Sequence, residues 1–128
     1  MADKIVAFIC THNACRSQIA EALARHAGYK GYAFYSAGSV PQEQIDKNAV
    51  RIMKEKFCIN MSAQYSKTIR DIPVPDIAIS MGCGVTCPYI GKAFDDDWGL
   101  EDPTGKPDEA YLKVIGQIQN HLKRRFED

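Results

Sequence analysis

The chain has 128 residues, of which 45% are hydrophobic and 25% are charged, as is typical of one globular domain. Its 16 basic and 16 acidic residues cancel, so the charge gives no sign of a nucleic-acid partner. The apolar runs are too short for a membrane span, and the acidic N-terminus does not fit a secretory signal. We therefore expect a single domain over residues 1–128, monomeric and cytoplasmic, without a membrane partner.

The first half of the chain alternates between short apolar runs and helical periodicity. Residues 5–9 (IVAFI) are all apolar, which predicts a strand buried on both faces. From Ser17 the apolar residues recur at helical spacing until Gly28, which predicts a helix that ends there. Residues 32–36 predict a second strand, and residues 42–56 predict a second helix.

The second half continues this alternation. Residues 57–75 contain several turn signals and predict a loop with one short helical piece. A third buried strand is expected at 76–81 and a short fourth strand at 93–95. The last helix should begin at Pro107 and end in the basic residues 123–125, which suit a helix C-terminus.

Strands that alternate with helices predict an α/β protein with a small, doubly wound, four-stranded parallel sheet. Ligands in such folds bind outside the carboxyl ends of the strands. Cys10 follows the first predicted strand, and Cys83 and Cys87 follow the third. We therefore expect these three cysteines at one edge of the sheet. In a cytoplasmic chain with five cysteines, a structural disulfide framework is not expected.

The loop from Cys10 to Arg16 leads directly from a strand into a helix. The first N–H groups of a helix lack partners within it and, with the helix dipole, favour an anion. A thiolate facing these donors is stabilised, and the guanidinium of Arg16 suits a tetrahedral oxyanion. Asn13 tolerates the left-handed conformation that such a loop requires, and Ser17 can cap the helix or donate to the thiolate. The alternative is that Cys10 is only a core cysteine at a strand end.

The stretch ICTHNACRSQIAEALA (9–24) resembles the active-site loop and first helix of the low-molecular-weight tyrosine phosphatase fold. Within that fold it looks like the thioredoxin-coupled arsenate reductases. Further similar stretches are FYSAGS at 34–39, MGCGVTCP at 81–88 and DDWGLEDPTGKPDE at 96–109.

The resemblance implies a flavodoxin-like sheet and an arsenate reductase, with a tyrosine phosphatase acting through phosphocysteine as the alternative. It implies Cys10 as the nucleophile and Arg16 as the ligand of the oxyanion. The substrate-binding loop would then comprise Thr11, His12, Asn13, Ala14, Cys15, Arg16 and Ser17.

Asp102 precedes Pro103, which restricts it to an extended conformation on a stiff turn. An ordinary Asx-Pro turn is the commoner use of this dipeptide. The resemblance instead implies that Asp102 is the acid that donates a proton at the site. The aspartates at 95–97 are expected in a solvated loop, with Trp98 packed over the site.

Cys83 and Cys87 distinguish a phosphatase from an arsenate reductase. A phosphatase needs only one thiolate, whereas reduction of arsenate needs two electrons, which additional thiols can supply. The resemblance implies that Cys83 attacks Cys10 and that Cys87 then attacks Cys83, although the spacing does not fix this order. It also implies thioredoxin as the reductant; a mycothiol or glutaredoxin system would not require both cysteines. The remaining alternatives are two ligands of a zinc ion and a thiol-based sensor of arsenic or metals.

The spacing of this pair has a physical consequence. In a helix the Cβ atoms of residues four apart lie about 5–6 Å apart, beyond the roughly 3.5–4.5 Å of a disulfide. Gly82, Gly84 and Pro88 weaken any helix here. We therefore expect the segment to rearrange on oxidation.

The positions of two further cysteines and of His12, and a possible ion site, can also be predicted. Cys15 should pack within the loop, and Cys58 should lie in the core. His12 could line the rim and tune the thiolate, but we expect that it simply faces solvent. Some relatives carry a potassium site beneath the loop, for which Asn13 and Glu21 would be suitable ligands, whereas residues 62–67 do not clearly supply the others. Potassium is therefore a candidate ion, and no tightly bound cofactor is expected.

Overall fold

A computed structural model describes residues 3–82, 90 and 93–127. In chain order the elements are β1 (Lys4–Ile9), α1 (Arg16–Ala27), β2 (Tyr32–Ala37), α2 (Lys47–Phe57), a short 3₁₀ helix (Ile69–Asp71), β3 (Ile77–Ser80), β4 (Asp96–Asp97) and α3 (Asp108–Phe126).

The four strands form one parallel sheet in the order β2-β1-β3-β4. The order confirms the small, flavodoxin-like α/β fold expected from the sequence. At the carboxyl end of the sheet, Ile9 of β1 pairs with Ala37 of β2 and with Ser80 of β3. The loops that follow these three strands therefore begin side by side.

The alternation of side chains along β1 divides the core between the two faces of the sheet. Val6 and Phe8 belong to a large cluster to which α1, α2 and α3 contribute, for example through Ile19 of α1 and Ile115 of α3. The opposite face carries a smaller cluster, whose buried members are Ala7, Ile9, Ala37, Ile72, Ala78 and Ile90. Strand β1 is thereby buried on both faces, which holds the loop after it in place.

The helix ends show how local chemistry sets the boundaries. Helix α1 is capped by Gly28 with a φ of +70°, as the sequence predicts. Helix α2 is capped in the same left-handed conformation by Cys58, with a φ of +59°. Cys58 is exposed, so its expected place in the core is wrong; it occupies a helix-terminating position that usually carries glycine.

Helix α2 begins at Lys47, five residues later than the sequence predicts. Asp46 is its N-cap, and the Asp46 carboxylate accepts a hydrogen bond from the backbone N–H of Asn48 at 2.8 Å. Upstream, the backbone N–H of Gln42 donates to Ser66 Oγ at 2.9 Å. Contacts with neighbouring loops therefore replace the first turn that helical periodicity suggests.

The fourth strand lies at Asp96–Asp97 rather than at 93–95. Asp95 and Asp97 are exposed, as expected of solvated residues, but Asp96 and Asp97 belong to a strand and not to a loop. Asp96 and Asp97 pair with β3, and Asp95 Oδ2 accepts the backbone N–H of Ala78 at 2.8 Å. Trp98 is buried in the large core cluster, with its ring stacked on His121 at 4.7 Å. Its expected role as a cover over the site is therefore wrong.

Cys83, Cys87 and the rearrangement expected between them lie outside the described residues. Among the described helices, none is long and apolar enough to cross a membrane. In the same parts of the chain, His, Cys, Asp and Glu do not gather in groups of three or more that could hold a metal ion.

Candidate active site

The loop after β1 is fixed by close backbone packing. Asn13 has a φ of +50°, which confirms the left-handed conformation expected there. Gly38, just after β2, lies against this loop: a Cβ at Gly38 would sit 2.5 Å from the carbonyl oxygen of Cys10 and 2.6 Å from that of Thr11. Only glycine therefore fits at position 38 without displacing the loop.

Four successive carbonyl groups of the loop, those of residues 11–14, accept hydrogen bonds from donors elsewhere in the chain. Backbone N–H groups of Val40 and Asp46 donate to Thr11 O at 2.9 Å and to Ala14 O at 2.8 Å. The two carbonyls that lie between these in the chain accept from side chains. Ser66 Oγ donates to His12 O at 2.8 Å, and Gln18 Nε2 donates to Asn13 O at 3.0 Å. These donors neutralise the negative ends of the loop peptides, so an oxyanion at the loop meets less repulsion.

Cys10 is 3% exposed, and its Sγ lies 2.8 Å from Ser17 Oγ. Asn13 Nδ2 donates to the same hydroxyl oxygen at 2.8 Å, which directs the hydrogen of Ser17 toward the sulfur. The hydroxyl can therefore stabilise a thiolate at Cys10. This contact is the one that the sequence suggested for Ser17.

We predict that Ser17→Ala slows alkylation of Cys10 by iodoacetamide at neutral pH. Loss of one hydrogen bond to a charged sulfur, about 1.5 kcal/mol, corresponds to roughly a tenfold change in rate. Ser62→Ala, at an exposed serine, is the control and should react as the wild type does. Equal rates in the two variants would show that Ser17 does not support the thiolate.

Arg16 is the first residue of α1, and one of its guanidinium nitrogens is anchored at the sheet edge. Its Nη1 donates to the carbonyl oxygens of Met81 at 3.1 Å and of Leu100 at 2.8 Å. These anchors follow β3 and β4, so the fold orients the guanidinium. The donors not used by the two carbonyls form the planar edge that suits a tetrahedral oxyanion.

Asp102 lies on the turn that the Asp-Pro pair predicts. Its Oδ1 accepts hydrogen bonds from Thr104, at 3.1 Å from the backbone N–H and 2.6 Å from the hydroxyl. Partial burial raises the pKa of the Asp102 carboxyl, but these hydrogen bonds and the charge of Arg16 outweigh that effect and lower it below its usual value. The carboxyl is therefore ionised at neutral pH in the free site.

A cavity of about 420 Å³ brings the predicted residues together. Its lining includes six residues named from the sequence, which are Cys10, His12, Ala14, Cys15, Arg16 and Asp102. Four more residues line it that the sequence did not single out, which are Gln42, Gln44, Asp46 and Thr104. Asn13 and Ser17 are buried and do not line the cavity, and Thr11 is partly buried. Contact of these three with a substrate stays a prediction.

Cys15 is a buried thiol in the wall of this cavity. Burial raises the pKa of the Cys15 thiol, and the carboxylates of Asp46 and Asp102 raise it further. Asp46 is itself held by the Tyr111 hydroxyl, which donates to Asp46 Oδ2 at 2.6 Å. Cys15 therefore stays protonated at neutral pH and is a poor nucleophile.

His12 is exposed, as expected, but it also lines the cavity, which was the alternative considered for it. Its Nδ1 lies 3.0 Å from Gln42 Nε2 and 3.2 Å from the carbonyl oxygen of Val40. These contacts hold the imidazole against the segment before α2. Gln42 carried no signal in the sequence, because it was expected at the start of a helix.

The two residues considered as potassium ligands, Asn13 and Glu21, have other partners in the structure. Lys67 places its ammonium 3.3 Å from the carboxylate of Glu21, one of the two ligands considered for the ion. The other, Asn13 Oδ1, accepts hydrogen bonds from Gln18 Nε2 at 2.8 Å and from the backbone N–H of Lys67 at 2.9 Å. A buried ammonium therefore lies where we considered a potassium ion.

Comparison with known proteins identifies the family. A model of the low molecular weight phosphotyrosine protein phosphatases matches residues 5–128. The chain belongs to this family. It is 34% identical over 125 residues to a glutaredoxin arsenate reductase from Synechocystis sp., covering 94% of each protein.

Solved structures of similar proteins agree. An arsenate reductase in the phosphate-binding state has a TM-score of 0.81 at 35% identity, covering 94% of this chain and 95% of that one. A thioredoxin-dependent arsenate reductase from Corynebacterium glutamicum has a TM-score of 0.72 at 36% identity, covering 96% of this chain and 62% of that one. These likenesses confirm the resemblance to arsenate reductases with a low molecular weight phosphatase fold.

Proposed function

We propose that this protein is an arsenate reductase whose nucleophile is Cys10. The observation that carries the proposal is the cavity in which the Cys10 thiol, the Arg16 guanidinium and the Asp102 carboxyl meet. Similarity over nearly the whole chain to proteins named arsenate reductases supports it. A structure of one such relative in a phosphate-binding state supports an oxyanion as the ligand.

The first step is attack of the Cys10 thiolate on arsenic. A sulfur–arsenic bond forms, and one oxygen of arsenate leaves as water after it is protonated. Arg16 and the N–H groups at the start of α1 bind the remaining oxygens. Ser17 stabilises the thiolate before attack, through the 2.8 Å contact with the sulfur.

The second step transfers two electrons to arsenic. The Cys83 thiolate attacks the Cys10 sulfur, the electron pair of the sulfur–arsenic bond passes to arsenic, and arsenite leaves. Cys87 then attacks Cys83, which frees Cys10 and leaves a Cys83–Cys87 disulfide. Both cysteines follow β3 in the chain, and the carboxyl end of β3 adjoins that of β1, which supports this exchange.

The reductant in this proposal is thioredoxin, which reduces the final disulfide. The thioredoxin-dependent relative from Corynebacterium glutamicum supports this choice, whereas the Synechocystis relative is named for glutaredoxin. The two systems differ in what they need: reduction through a glutathione adduct does not require a Cys83–Cys87 pair. Location in the cytoplasm and a monomeric state stay predictions.

Asp102 is proposed to protonate the leaving oxygen. Because the pKa of Asp102 is lowered in the free site, the proton it donates arrives with the substrate, as the monoanion of arsenate binds. The dianion would instead place two like charges against the carboxylate, which opposes binding. The carboxyl thus acts as a proton carrier between substrate and leaving group.

We predict that Asp102→Asn lowers kcat for arsenate by roughly 10²-fold or more, within the usual contribution of a general acid. Thr104→Val removes one hydrogen bond to the carboxylate and should raise the pKa of Asp102 toward its ordinary value. The pKa is read from a carboxyl titration by NMR and kcat from arsenate turnover. Unchanged kcat in Asp102→Asn would remove this carboxyl from the mechanism.

A phosphatase acting through a phosphocysteine at Cys10 is the second candidate, favoured by the description of the family that the chain matches. The decisive assay follows arsenate-dependent oxidation of NADPH with thioredoxin and thioredoxin reductase, and in parallel with glutathione, glutaredoxin and glutathione reductase. An arsenate reductase of the proposed kind gives turnover in the thioredoxin arm, and Cys87→Ser abolishes it. Absence of turnover in both arms, with hydrolysis of an aryl phosphate intact, would favour the phosphatase.

A further inference from the structure

An ammonium group is built into the protein directly beneath the oxyanion loop. Lys67 is 7% exposed, and its Nζ lies 3.3 Å from each of three oxygens: Glu21 Oε1, Ser36 Oγ and the carbonyl of Tyr65. Ser36 donates its own hydrogen to Glu21 Oε1 at 2.9 Å, so its oxygen is free to accept from the ammonium. The three N–H donors thus match three acceptors.

Glu21 depends on this ammonium for its charge balance. It is only 2% exposed, and a buried carboxylate requires a partner. Arg25 also approaches Glu21, at 3.5 Å, but its side chain is about half exposed and water screens it. Lys67 is therefore the buried counter-ion, and it joins α1, β2 and the segment before the 3₁₀ helix.

A separate set of hydrogen bonds, made by the backbone of Lys67, leads to the reactive sulfur. Its N–H donates to Asn13 Oδ1 at 2.9 Å, and its carbonyl accepts the N–H of Gly38 at 2.9 Å. The oriented Asn13 amide donates to Ser17, whose hydroxyl lies against Cys10 Sγ. A continuous series of hydrogen bonds therefore runs from Lys67 to Cys10.

A potassium ion does not fit this arrangement. The oxygens that would serve as its ligands already accept from the ammonium or from amide N–H groups: Glu21 Oε1, Tyr65 O and Asn13 Oδ1. A second cation would have to displace the ammonium of Lys67, because two like charges cannot share this small set of oxygens.

We propose that Lys67 is a positioning residue whose tethered ammonium takes the place of a monovalent cation and keeps the oxyanion loop in its binding conformation. The protein then needs no potassium. The inference rests on the proposed function only in that the loop binds a tetrahedral oxyanion. Its tests use inorganic phosphate and alkylation of Cys10, so a failure to reduce arsenate would leave them interpretable.

The first test compares phosphate binding in KCl, NaCl and choline chloride at equal ionic strength. Bound phosphate is expected to protect Cys10 from iodoacetamide, and the dependence of alkylation on phosphate concentration then gives the dissociation constant. The wild type should give the same constant in all three salts. Lys67→Met should weaken phosphate binding by roughly tenfold or more, because the loop is no longer held in place. Arg51→Met, which breaks an exposed ion pair with Asp108, is the control and should bind as the wild type does.

The second test is rescue of Lys67→Ala, which removes the ammonium and leaves space beside Glu21, Ser36 and the Tyr65 carbonyl. Phosphate affinity should recover in KCl or methylammonium chloride, and remain low in choline chloride. Recovery requires a cation at this position, which a loss of packing alone would not produce. Failure of both cations to restore affinity would contradict the proposal.

A third variant covers the case in which a lone Glu21 carboxylate prevents folding. Lys67→Met combined with Glu21→Gln removes both charges, so the thermal midpoint should recover while phosphate affinity stays low. Wild-type affinity in this double variant would overturn the proposal, since the ammonium would then only neutralise Glu21. An increase of wild-type affinity by several-fold in KCl would overturn it as well.

Discussion

Cys10→Ser is expected to abolish arsenate-dependent oxidation of NADPH, with a loss of roughly 10³-fold or more. The serine hydroxyl is not ionised at neutral pH, and an oxygen–arsenic bond gives Cys83 no sulfur to attack. The buried position of Cys10 tolerates the small change in size, so the fold should persist. The measurement is turnover in the coupled thioredoxin assay, with thermal midpoints recorded in parallel.

Cys58→Ser is the matched control, because Cys58 is exposed at the end of α2, away from the residues that line the cavity. It should retain wild-type turnover. Comparable turnover by Cys10→Ser and Cys58→Ser would show that the nucleophile is a different residue. Loss of turnover in both would show that the assay reports thiol content rather than the chemistry of Cys10.

Arg16→Lys is expected to lower kcat/KM for arsenate by roughly 10²-fold, which corresponds to about 3 kcal/mol of lost hydrogen bonding. In the wild type, Arg16 Nη1 donates to the carbonyls of Met81 and Leu100, and the other guanidinium donors remain for the oxyanion. A single ammonium cannot reach both carbonyls and the oxyanion with the same geometry. The variant keeps the positive charge, so any loss of activity reports the geometry of the guanidinium donors.

Arg51→Lys provides the control for this substitution. Arg51 makes a two-pronged contact with Asp108 on the exposed surface, with nitrogen–oxygen distances of 2.7 Å and 3.3 Å. An exposed ion pair contributes little, so turnover should be unchanged. If Arg16→Lys also behaved as the wild type, the guanidinium would act only as a point charge at the site.

The sequence was sufficient for the elements whose signal is local. The apolar run of β1, the glycine that ends α1 and the basic end of α3 all depend on neighbouring residues, and all three lie where they were expected. The loop from Cys10 to Arg16 was also readable, because strand, turn and helix follow directly in the chain. Its left-handed Asn13 and the Ser17–Cys10 contact follow from ordinary local chemistry.

The errors arose where distant contacts decide the structure. The start of α2 is displaced because Asp46 contacts the loop through Ala14 and α3 through Tyr111. Trp98 packs in the core because β4 forms beside β3, an arrangement that no local pattern encodes. Each contact joins residues far apart in the chain, so the helical or strand period of one segment cannot predict it.

The same reason explains the site residues that were missed. Lys67 carries no local signal of its role in the sequence, because its partners Glu21 and Ser36 lie on other elements. Thr104 did carry a signal, since a hydroxyl two residues after an aspartate commonly completes an Asx turn. Gly38 was part of a recognised stretch, but its packing against the carbonyls of Cys10 and Thr11 required the structure.

The central claim is that electrons for arsenate come from the thiols of this chain. The most direct measurement mixes fully reduced protein with arsenate, without any reductant, and quantifies arsenite and remaining thiols. We expect one arsenite released and two thiols lost per chain in the wild type, and no arsenite release from Cys83→Ser. An unchanged thiol count in the wild type, with no arsenite formed, would contradict it.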